Sequence, residues 1–109
     1  MAAFIFSQDE PGTFTVRKAL FRMILTRAER RLAEEVDVAE IQMSEAMEGI
    51  SFRLLDEDQR TRAAEAVLEG TRELRTEITE GKPLEESVLP GVEEKLDELV
   101  SFLQDHTAR

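Results

Sequence analysis

The sequence predicts an all-α fold, an antiparallel four-helix bundle preceded by a short N-terminal arm. Three observations predict it. Apolar residues recur at helical spacing in four separate segments, and helix start and stop signals fall between those segments. A length of 109 residues, 41% hydrophobic and 35% charged, suits one compact domain with one core, and no repeat or composition shift divides it. Residues 1–109 are therefore read as a single helical domain, with helices at about 15–34, 37–55, 57–80 and 91–105.

The arm covers residues 1–14. Phe4 and Phe6, and again Phe14 and Val16, are spaced two apart around Asp9-Glu10-Pro11-Gly12, which is rich in turn formers. A short hairpin and an extended arm both fit. In the first helix Val16, Leu20, Ile24, Ala28 and Leu32 follow at four-residue spacing. Ala19, Leu20, Phe21, Met23, Ile24 and Leu25 point in nearly every direction, so this helix needs cover on more than one side. Either it is central, or its second side meets another subunit. The expectation is a homodimer with Phe21, Met23 and Leu25 at the interface.

Asp37 is a reasonable cap for the second helix, in which Ala39, Met43, Ala46, Met47, Ile50 and Leu54 share a sector of roughly 100°. That sector is expected to face the core, with Met43 and Met47 as filling. Asp56 and Asp58 flank the start of the third helix, which turns Ala63, Val67, Leu74 and Ile78 inward. Gly81 can adopt the left-handed cap and Pro83 cannot continue the helix. Pro90 opens the fourth, whose Val92, Leu96, Leu99, Val100 and Leu103 form the cleanest stripe in the chain.

Charge is divided unevenly along this pattern. Residues 17–31 hold Arg17, Lys18, Arg22, Arg27, Arg30 and Arg31 against Glu29, a local +5 in a chain of net charge −10. The cations scatter around the helix, which calls for several acidic neighbours rather than one flat nucleic-acid face. On the third helix Glu73, Glu77 and Glu80 have no cation three or four positions away and crowd a helix end that is already partly negative. In an up-down-up-down bundle these ends share a pole. Arg27, Arg30 and Arg31 are thus expected to meet Glu73, Glu77 and Glu80 in an ion-pair network or a partner-binding patch.

Several function classes lose their footing at this level. The absence of cysteine excludes disulfides, thiolate nucleophiles and cysteine zinc sites, and fits a reducing, cytoplasmic setting. No apolar run approaches the length of a membrane span, and the first residues lack the pattern of a secretory signal. Neither a membrane nor a nucleic acid is expected as partner. His106, the single histidine, lies three positions from the last residue, a poor place for a catalytic base.

Glu34-Glu35 and Glu93-Glu94 with Asp97 and Glu98 resemble the acidic motifs of all-α nucleoside triphosphate pyrophosphatases. The paired EExxE and ExxD elements of that family are not met, because Val38 stands three after Glu35 and the second cluster reads EExxDE. A small metal-dependent hydrolase is the alternative reading, and a purely structural homo-oligomeric module is another. The preferred expectation is a non-enzymatic adaptor, regulator or inhibitor, without cofactor or metal, whose acidic helical surface docks on a basic protein partner.

Overall fold

The computed structural model describes residues 2–6, 13–47, 49–51, 56–85 and 90–107. Among the described residues the chain is mostly helical, with four helices, and it adds a small sheet. The order is β1 (Ala2–Phe6), β2 (Thr13–Arg17), α1 (Lys18–Glu29), α2 (Glu35–Met47), β3 (Gly49–Ser51), α3 (Glu57–Thr79) and α4 (Val92–Thr107). β1 lies in the middle, antiparallel to β2 and parallel to β3. The arm is therefore part of a paired sheet rather than an extended tail. The expected turn at Asp9 to Gly12 lies outside the described residues.

The sheet changes two boundaries. Thr13, Thr15 and Val16 are β-branched, and residues 13–17 pair with β1 instead of opening a helix at 15. Backbone dihedrals are still extended at Arg17, and α1 begins one residue later. The second helix stops at Met47 rather than running to 55, because residues 49–51 leave it for the sheet, Ile50 opposite Ile5. Ile50 reaches the core, only 1% exposed, from a strand rather than a helix. Leu54 lies outside the described residues.

α3 is the spine. Of the two aspartates flanking its start, Asp56 is the cap, its carboxylate accepting from the Gln59 amide at 2.8 Å. At the far end Gly81 takes φ 71°, and the Gly81 and Lys82 amides donate to the Ile78 and Glu77 carbonyls. Between these caps α3 packs most extensively on α1 and α4. Small residues allow the close approach to α1. A Cβ at Gly70 would sit 2.9 Å from the Ile24 carbonyl oxygen and 3.0 Å from the Ala28 amide, so only glycine fits without a shift.

Burial settles which helix is central. Leu20, Phe21, Met23, Ile24, Leu25 and Ala28 of α1 are all buried within one copy of the chain. Phe21, Met23 and Leu25 are therefore core residues, not the subunit interface expected of them. The all-round apolar character of α1 is consumed by α3, α2 and the sheet. Leu74, Leu96, Leu99 and Leu103 complete the core from α3 and α4.

α2 is turned the other way from expectation. Its buried residues are Asp37, Ile41 and Ser44, whereas Met43 and Met47 are 55% and 73% exposed. The expected core face of this helix is its outer face. Ile41 fills the space beneath, and Ser44 is satisfied by donating to the Glu40 carbonyl at 2.8 Å. Asp37 is not a cap but sits in the first turn, held by Arg62 of α3.

Candidate functional site

The cations of α1 meet the acids of α3 around one buried guanidinium. Arg27 follows Ile24 by three positions and precedes Ala28, so the glycine-sized gap at Gly70 draws its stem into the α1–α3 seam, 3% exposed. All five of its N–H donors are used. Nε and Nη2 donate to the Glu77 carboxylate at 2.6 and 3.1 Å, and Nη1 and Nη2 donate to the Glu85 carboxylate, both at 2.9 Å. The last donor of Nη1 reaches the Met23 carbonyl at 2.8 Å.

This arrangement fixes the charge state of each member. Donation to Glu77 holds the Arg27 pKa above its ordinary value despite the opposing effect of burial. The same hydrogen bonds hold the Glu77 and Glu85 carboxyls below the usual carboxylate range. A saturated guanidinium between two ionised carboxylates has no proton to exchange near neutral pH. Chemically it clamps.

The other expected members are distributed around this clamp. Arg31 reaches Glu73 at 3.4 Å, an exposed pair of little energetic consequence. Glu80 turns to Lys82 at 3.1 Å and not to α1. Arg30 is exposed, and its charge adds to the lowering of the Glu85 pKa. Glu85 was not legible as a member, since it follows the α3 cap in a segment without periodicity. Its only signal is the neighbouring Leu84, which packs partly buried on the core and brings the carboxylate inward.

Two further arginines bind α3 to its neighbours. Arg62 donates from Nε and Nη2 to the buried Asp37 carboxylate at 2.6 and 3.1 Å, tying α2 to the start of α3. Arg75 donates to Asp97 at 3.0 Å and to Glu93 at 2.7 Å, tying α4 to its end, and also reaches Thr79.

The pair in α4 bears on the hydrolase alternative. Glu93 and Asp97 both hold Arg75 beside a shallow hollow of about 550 Å³ that also takes in Ile78 and Val92. Among the described residues no group of three or more acidic or histidine side chains is arranged to hold a metal ion. No described helix is long and apolar enough to cross a membrane.

The described surface carries an excess of acids over the exposed Arg17, Arg22, Arg30, Arg31, Arg72 and Lys82, and on α2 it is apolar. Glu34, Glu35, Glu57, Asp58, Glu65, Glu94 and Glu98 lie exposed, while Arg27, Arg62 and Arg75 each grip acids of their own chain. Comparison of the chain with protein-family models, with curated proteins and with solved structures finds no match in any of the three.

Proposed function

We propose that this chain is a non-enzymatic interaction protein whose acidic helical surface docks on a basic protein partner. The observation that supports this reading is the internal use of the cations. Arg27 and Arg75 each hold two carboxylates, and Arg62 holds a buried one. The net charge of −10 leaves carboxylates in excess at the surface, where Arg17, Arg22, Arg30, Arg31 and Arg72 are also exposed, while Arg27 is buried between two acids. Such a surface steers a basic partner through long-range attraction and orients it before contact. A cytoplasmic adaptor, regulator or inhibitor has this profile.

The test is a pull-down with the immobilised chain across a salt series from roughly 50 to 500 mM, a range over which the Debye length shortens severalfold. Captured proteins should be basic and should elute progressively with salt. Partners that are acidic, or whose retention is indifferent to salt, would overturn the reading.

A further inference from the structure

The outer face of α2 carries a surface that the ion pairs do not explain. Val36, Ala39, Met43, Ala46 and Met47 are all exposed, and at 100° per residue they fall within about 100° of one another. They form one continuous apolar stripe along a helix of 13 residues, roughly 20 Å long. A stripe at this spacing normally faces a core. Here the inward side is already taken by Ile41 and by Asp37 on Arg62, so the stripe has no cover among the described residues. Methionine suits such a face, because its flexible thioether adapts to differently shaped apolar partners.

The rim of the stripe selects the occupant. Glu40 lies along one edge and Glu35 along the other. Gln42, beside Glu35, donates to Glu29 at 2.9 Å and so brings a third carboxylate to that edge. Residues 35–47 contain no lysine or arginine. A second copy laid face to face would set carboxylate rims against each other, and an anionic lipid surface would be repelled for the same reason. A helix with an apolar stripe and lysine or arginine flanks is complementary on both counts.

We propose that the outer face of α2 docks a cationic amphipathic helix of a partner protein, Met43 and Met47 supplying the apolar contact and Glu35, Glu40 and Glu29 the flanking charge. This rests on the acidic docking reading above and gives it a place on the molecule. An interface of this length is small and its complexes exchange readily.

The experiment uses the full chain and a labelled synthetic helix of about 18 residues, long enough to span the stripe, with leucines on one face and lysines on both flanks. Fluorescence anisotropy should show saturable binding that weakens with salt. The double variant Met43→Ser, Met47→Ser should lose at least about tenfold in affinity while keeping the wild-type melting temperature. Glu35→Gln with Glu40→Gln should lose severalfold and flatten the salt dependence. A matched helix with glutamate flanks should not bind.

Undiminished binding by the serine variant would overturn the placement on α2 while leaving the acidic docking reading intact. Failure of the lysine helix to bind at all, or equal binding of the glutamate helix, would overturn both. Self-association of the wild-type chain that the serine variant abolishes would make a second copy the occupant and overturn the proposal. Met43-dependent binding to phosphatidylserine vesicles would overturn it in favour of a membrane.

Discussion

α1 and α2 are of nearly equal length, 12 and 13 residues, and adjacent in the chain, yet each hides what the other displays. α1 buries apolar side chains nearly all round and takes the arginine at position 27 in with them. α2 leaves two methionines and a valine in water and buries an aspartate. Hydrophobicity alone does not decide this. Each buried charge has an opposite charge waiting on α3, Glu77 near its end for Arg27 and Arg62 near its start for Asp37. α3 thus orients both helices by charge as well as by packing, and the face of α2 left over is the apolar one.

The contrast can be broken most forcefully at Phe21. As a core residue, Phe21→Ala should cost about 3–5 kcal/mol in urea denaturation followed by circular dichroism, independent of protein concentration. A concentration-dependent loss would return it to a subunit interface. Arg27→Met should follow, destabilising by roughly 3 kcal/mol, because two carboxylates would be left facing each other without their counter-charge. Gly70→Ala should cost about 1–3 kcal/mol by forcing apart the seam that holds Arg27. A neutral outcome there would mean α1 and α3 have room to spare.

The clamp also predicts a pH dependence. Glu77 and Glu85 have folded pKa values below the ordinary carboxylate value of 4.5, so their contribution is complete above that value. It is lost as pH falls from there through the lowered folded values. Acid titration should therefore show a steeper loss of stability in the wild type than in Glu77→Gln, and identical profiles would remove the clamp from the balance. The smallest effect belongs to α2. Met43→Ser should change stability by no more than about 0.5 kcal/mol, as expected for an exposed position.

Much of this was readable from the chain. The approximate extents of α3 and α4, the cap at Gly81 and the buried stripe of Leu96, Leu99 and Leu103 follow from local chemistry, the helix ends falling within two residues of those expected. The meeting of Arg27 with Glu77 and of Arg31 with Glu73 followed from charges that needed partners.

The rest depends on what lies opposite, which spacing does not encode. Periodicity located a coherent face on α2 but not the side it turns to. The decision came from Asp37, which looks like a cap locally and becomes an anchor only when Arg62 arrives from 25 residues away. β3 is three residues long and is defined by its pairing with β1, more than 40 positions earlier.

The tie between Arg27 and Glu85 also sets where the chain can be lengthened. Glu85 stands eight residues beyond the last helical carboxylate, Glu77, and must return to the same guanidinium in the α1–α3 seam. An insertion between Gly81 and Leu84 would carry it off its donors while leaving every helix whole. That stretch is measured by the reach of one carboxylate, so an added residue there should be felt as a lost electrostatic bond, whereas loops are ordinarily forgiving of length.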